Sequence, residues 1–140
     1  MTPRMNAPAS TTVDGPDVLV VEDDHDIREM MLFWLSGHGL STVAAENGER
    51  ARRLLLAGVR PRVILLDLMM PVMDGWMFSA WQARDPDNAD IPVIVISAVG
   101  PGNPPLAVPP AARFDKPVNL DTALATIRAV VTQSDSGAES

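Results

Sequence analysis

The sequence predicts a doubly wound α/β fold built on a five-stranded parallel sheet. Three observations carry that expectation. Val63-Ile-Leu-Leu66 is a short apolar run without alternation, which suits a strand covered on both faces. Other apolar runs alternate with segments of helical periodicity, the arrangement of successive βα units. Polar groups gather where the runs end: Glu22, Asp23 and Asp24 after the first, Asp67 after the third, Ser97 after the fourth and Lys116 after the fifth. Right-handed crossovers would bring all of these to one edge of the sheet, where open α/β folds bind ligands.

Taken in order, residues 1–16 carry Pro, Ser, Thr and Asn but no apolar signal core, and they read as a disordered tail. Val18 to Val21 is the first strand. Ile27, Met30, Met31, Trp34 and Leu35 recur at helical spacing, giving an amphipathic helix capped by Asp24 or Asp26 and stopped by Gly37 and Gly39. Leu40 to Ala45 is a weaker strand nearer the sheet edge. Asn47 caps a helix through Ala51, Leu54 and Leu55 that closes at Gly58. The central strand ends near Asp67, because Pro71 lacks an N–H and fits neither a strand nor a helix interior.

A helix from Met73 or Asp74 to about Arg84 follows. Trp76, Met77, Phe78 and Trp81 make it apolar nearly all round; core packing accounts for most of this, and Met77 and Trp81, four residues apart, form a candidate partner patch. Ile91 to Ile96 is a second doubly buried strand. Gly100 to Pro105, with Pro109-Pro110, excludes a regular helix. Ala112 to Asp115 is the last strand, and Asn119 caps a helix that turns Leu120, Leu124, Ile127 and Val131 inward. Residues 134–140 read as a frayed tail, which leaves one domain over residues 17–133.

Composition narrows the function. The 140 residues suffice for one core. A net charge of −7 argues against a nucleic-acid partner, since phosphate backbones are bound by an excess of Lys and Arg. The absence of Cys excludes disulfides, a thiolate nucleophile and Cys-type zinc sites, and His25 and His38 cannot build a metal site alone. No apolar run approaches the roughly 18 residues of a membrane span.

Several carboxylates on one lip repel one another unless a counter-charge is present. Ligands that are all oxygen suit a hard divalent cation such as Mg²⁺, which takes one or two carboxylates and keeps room for phosphate oxygens. An Asp beside such an ion, with a Ser and a Lys opposite, is a set for phosphoryl transfer. Asp67 would be the nucleophile, and Lys116 and Ser97 would stabilise the transferred group.

Four pieces, in order, carry a resemblance: Val-Leu-Val-Val-Glu22-Asp23-Asp, Leu-Leu-Asp67-Leu-Met-Met-Pro71-Val-Met-Asp-Gly75, Val-Ile-Ser97-Ala98 and Phe-Asp-Lys116-Pro117. Over residues 17–133 the chain resembles the receiver domain of two-component response regulators. The resemblance implies a flavodoxin-like sheet of order 2-1-3-4-5. It implies that Asp67 accepts a phosphoryl group from a histidine kinase or phosphotransfer protein. Glu22, Asp23, Asp67 and the Met69 carbonyl would serve Mg²⁺, with Glu22 acting through water. Ser97, the Ala98 backbone and Lys116 would bind the phosphoryl group, and Lys116-Pro117 would be cis. The side chains that hold the hydrolytic water in receivers correspond here to Met69 and Val99. Both are apolar, so a long-lived aspartyl phosphate is expected.

The chain departs from the pattern in two places. Receivers carry an aromatic residue three positions before the Lys; here it is Arg113, with Phe114 on the opposite side of the strand. They also carry a helix between the fourth and fifth strands, which here is replaced by the Pro-rich loop. Ser97, Arg113 and the loop at 100–110 are therefore the candidates for switching and output. The expectation is a stand-alone cytoplasmic receiver that is no enzyme beyond its own phosphorylation and dephosphorylation. It binds an output protein and neither nucleic acid nor membrane. The rivals are an unphosphorylated pseudo-receiver and, more remotely, a small phosphatase with an Asp nucleophile.

Overall fold

The structure is a computed structural model that describes residues 15–98 and 104–139, with side chains described as far as residue 134. Its elements run β1 (Val18–Val21), α1 (His25–Gly37), β2 (Thr42–Ala45), α2 (Gly48–Leu56), β3 (Val63–Leu66), α3 (Gly75–Arg84), β4 (Val93–Ser97), β5 (Ala112–Asp115) and α4 (Leu120–Glu139). All strand pairs are parallel and the sheet order is β2-β1-β3-β4-β5, the order the resemblance implies. β1, β3 and β4 are buried at every position, which is why their sequences are unbroken apolar runs.

The two faces of these strands feed two cores. On one face Leu19, Val21, Ile64, Leu66, Val93 and Val95 pack with Ala51 and Leu55 of α2 and Phe78 of α3. On the other, Val18, Val20, Val63, Leu65, Ile94 and Ile96 pack with Met31 and Leu35 of α1 and Ile127, Val130 and Val131 of α4. Alternation along each strand divides its side chains between the two layers.

Helix ends follow local chemistry. The Asp24, Asn47, Asp74 and Asn119 side chains accept hydrogen bonds from the amides of Ile27, Arg50, Met77 and Thr122, so each start is capped. At the end of α1 it is Gly39, at φ 84°, that supplies the left-handed turn, while Gly37 stays helical. The Leu40 amide then donates to the Leu35 carbonyl, so Leu40 closes α1, and β2 begins only at Thr42. β4 begins at Val93, after Pro92, whose missing N–H cannot join the ladder.

The Pro16 carbonyl accepts from the Arg62 amide, just before the domain start expected at 17; residues 1–14 of the expected tail lie outside the described residues. α4 continues to Glu139, through Gly137 and past the end of its apolar periodicity, into the stretch read as a frayed tail. Leu120, expected to turn inward, is 36% exposed; α4 buries Ala123 and Val130 beside Ile127 and Val131.

Among the described residues no helix lies between β4 and β5. Residues 99–103 of the Pro-rich loop fall outside the described set. From Pro104 onward the chain is held against α3 in place of a helix. The Trp76 indole N–H donates to the Pro104 carbonyl at 2.9 Å, and the Val108 amide donates to Ser79 Oγ at 2.8 Å. Leu106 and Val108 pack on the core beneath.

Candidate functional site

The site is assembled at the C-terminal ends of β1, β3, β4 and β5. The Asp67 amide donates to the Val21 carbonyl at 3.1 Å, which sets the end of β3 beside the start of the acidic loop after β1. Asp67 and Glu22 are both buried and Asp23 is exposed, and one carboxylate oxygen from each lies within 4.8 Å of the other two. The Lys116 ammonium reaches Glu22 Oε1 at 3.0 Å and Asp67 Oδ2 at 3.4 Å. It is the counter-charge that the buried carboxylates require. Ser97 is fully buried at the end of β4, and its carbonyl accepts from the Lys116 amide at 3.0 Å, which ties β4 and β5 together at the lip. Lys116-Pro117 is cis.

Burial is the largest influence on Glu22 and raises its pKa; the hydrogen bonds from Lys116 and from the Asp24 amide oppose the rise without cancelling it. Burial works against the Lys116 ammonium, but the hydrogen bond to Glu22 and the charge of Asp67 outweigh it, so the Lys116 pKa is raised. The lysine therefore remains charged at neutral pH.

The loop from Asp67 to α3 is tightly determined. Asp67 Oδ1 accepts from the Met69 amide at 3.2 Å, and the Gly75 amide donates to the Leu68 carbonyl at 2.9 Å. A Cβ at position 75 would lie 2.7 Å from Leu68 Cα, so only glycine fits there. Met69 is 59% exposed at the mouth of the site. Ala98 is exposed beyond Ser97. Val99 lies outside the described residues.

Arg113 is not brought to the acidic lip. It projects from the exposed side of β5, with its Nε 3.8 Å from Asp115 Oδ1, while Phe114 packs into the α1/α4 core. Two residues that sequence reasoning passed over also shape the site. Arg28 Nη1 donates to the Glu22 carbonyl at 2.9 Å and the Asp23 carbonyl at 3.3 Å, holding the acidic loop from α1. Gly48 donates its amide to the Met73 carbonyl at 3.0 Å, and a Cβ there would strike that same oxygen at 2.6 Å. Asn47-Gly48 has the look of a helix start alone; its second task, fixing the Asp67 loop, depends on a long-range contact.

The fit of these residues to a hard cation is good: three converging carboxylates, no His or Cys, and a single ammonium for balance.

Comparison with known proteins agrees with this geometry. Residues 18–105 match the family described as response regulator receiver domain. The response regulator MprA of Mycolicibacterium vanbaalenii is 36% identical over 126 residues, which cover 86% of this chain and 53% of that protein. The DNA-binding dual master transcriptional regulator RpaA of Synechocystis is 29% identical over 123 residues, covering 86% of this chain and 51% of that protein. The chain thus spans about half the length of the curated relatives it matches. Among solved structures, the receiver domain of the Francisella response regulator 1452 has a TM-score of 0.75 at 25% identity and covers 86% of this chain and 99% of that one. The Vibrio cholerae chemotaxis protein CheY4 has a TM-score of 0.69 at 27% identity and covers 84% of this chain and 99% of that one. A match over that much of the sequence, on a fold that solved receivers share, places the chain in the family of response regulator receiver domains.

Proposed function

We propose that the chain accepts a phosphoryl group on Asp67 from a histidine kinase or phosphotransfer protein in the presence of Mg²⁺, and that this changes its binding to an output protein. The observation that carries the reading is Lys116 placed between Glu22 and Asp67, with the carboxylate of Asp23 converging on the same point. A carboxylate oxygen of Asp67 attacks phosphorus; the P–O bond forms as the donor's P–N bond breaks, and the imidazole nitrogen leaves with the electron pair and is then protonated. Lys116 shifts from the carboxylates to a phosphoryl oxygen, and the Ser97 hydroxyl donates to another. Glu22, Asp23, Asp67 and the Met69 carbonyl would hold the ion. When bound, Mg²⁺ neutralises charge on the transferred oxygens.

The activity is confined to the chain's own phosphorylation and dephosphorylation, and its setting is cytoplasmic. The test is labelling with radioactive acetyl phosphate and Mg²⁺. Wild type takes one phosphoryl group per chain, sensitive to hydroxylamine as an acyl phosphate is. Asp67→Asn folds and takes none. Undiminished labelling of Asp67→Asn, or a wild type that never labels, would overturn the reading.

A further inference from the structure

α2 and α3 leave a groove of about 470 Å³ between them on the face away from α1 and α4. Met73, Met77, Ala80 and Trp81 line its apolar part. Met77 and Trp81 are spaced by four residues on α3, about 6 Å apart along its axis, and Met73 of the preceding loop lines the same groove. Met77 is 51% exposed in the first turn of α3. The Trp81 ring is held in place from behind by Phe78, with ring centroids 5.7 Å apart.

Beside these side chains, Val72 is 74% exposed at φ 70°. A β-branched residue resists that backbone conformation, which Gly or Asn would adopt freely. The strained position thus presents an apolar side chain to solvent, on the loop that also supplies Met73.

The rim carries the opposite charge to the protein as a whole. Arg52 and Arg84 line the groove, and Glu49 is held by Arg52 at 2.7 and 2.9 Å and by Arg53 at 3.1 Å. Two guanidinium groups and one carboxylate therefore line the groove, a net positive rim on a chain of net charge −7. Flexible methionines that adapt to an apolar face, within a basic rim, favour an acidic amphipathic helix.

We infer that the α2/α3 groove is a docking surface for an amphipathic helix of a partner protein whose apolar face is flanked by Asp and Glu. The inference does not rest on phosphorylation of Asp67. It does make the groove sensitive to the Asp67 loop, because Met73 is part of that loop and its carbonyl is bonded to Gly48 at the start of α2.

The test uses two synthetic helical peptides of about 16 residues, roughly 24 Å long. They share one leucine face; one has Glu flanks and its twin has Lys flanks. Each is titrated into the isotope-labelled full chain and followed by two-dimensional NMR. The Glu peptide is expected to give saturable shifts at Gly48, Met73, Met77, Ala80 and the Trp81 indole, and its twin to bind at least about tenfold more weakly. Met77→Glu, a half-exposed position whose spectrum reports folding directly, is expected to weaken the Glu peptide about tenfold or more. Arg52→Glu with Arg84→Glu is expected to reverse the preference. Equal binding of the two peptides, shifts elsewhere, or no saturable shift would overturn the inference. So would groove resonances that broaden with protein concentration alone and sharpen in Met77→Glu, since the occupant would then be a second copy of this chain.

Discussion

If Asp67 is phosphorylated as proposed, the resemblance to receivers sets Met69, 59% exposed, where the hydrolytic water would need a polar partner, and it offers only a thioether and a methyl group. Neither orients a water nor takes its proton. Positioning or general-base help is worth about 10²–10⁴-fold where it exists. Met69→Asn is therefore expected to lose phosphoryl label from Asp67 about tenfold faster than wild type, measured as decay of acid-quenched label after the donor is removed. An equal or slower decay would show that the methionine does not set the lifetime. On α2, Glu49 offers a separate test of residue electrostatics. Hydrogen bonds from Arg52 and Arg53 lower its pKa from 4.5 to about 2. A depressed carboxylate contributes stability that is present above its unfolded pKa and is lost as pH falls through the folded value. The window is thus between pH 4.5 and about 2. Urea midpoints of Glu49→Gln should fall less steeply than those of wild type across that window, and high salt should narrow the gap because the pairs are at the surface.

At the scale of elements, legibility followed burial. β1, β3 and β4 could be read because both faces are covered, which demands unbroken apolar runs. The four caps could be read because capping is local. α3 gave no clear inward face: Phe78 enters the core, Trp76 turns to Pro104, and Met77 stays out. Glu22, Asp23, Asp67 and Lys116 were visible because each ends a strand, whereas Arg28 and Gly48 act through contacts that only folding creates. The stapling of residues 104–108 to α3 was equally hidden, and it can be tested. Ser79 is buried, and Ser79→Ala leaves the Val108 amide without its acceptor. The expected loss is about 1–3 kcal/mol. The distinguishing measurement is hydrogen exchange: Val108 should lose protection in Ser79→Ala while the amides of β3 keep theirs.

For the whole molecule, the acidic lip is a store of repulsion that one lysine only partly relieves. A cation that binds the native state alone stabilises it by mass action, by about 2.7 kcal/mol at a concentration one hundred times its Kd. Calorimetric melting should therefore show Tm rising by several degrees with Mg²⁺ and returning on chelation. Asp23→Ala should lose most of that rise, and without metal it should melt no lower than wild type, because it removes one of the three converging charges. A Tm that is indifferent to Mg²⁺ in wild type would refute the site.

The position of β5 has a consequence for behaviour in concentrated solution. It is a border strand, bonded to β4 on one side only. Such a border is a template on which another chain can lay a strand, and from which fibrils and insoluble aggregates grow. Here the template is only four residues long. Pro109-Pro110 arrive just before it and Pro117 follows just after Lys116, so an invading strand would meet residues without an N–H at either end. Arg113 and Asp115 add opposite charges along the exposed side. The prolines that replaced a helix thus also cut the sheet short, leaving an edge too brief to seed a fibre.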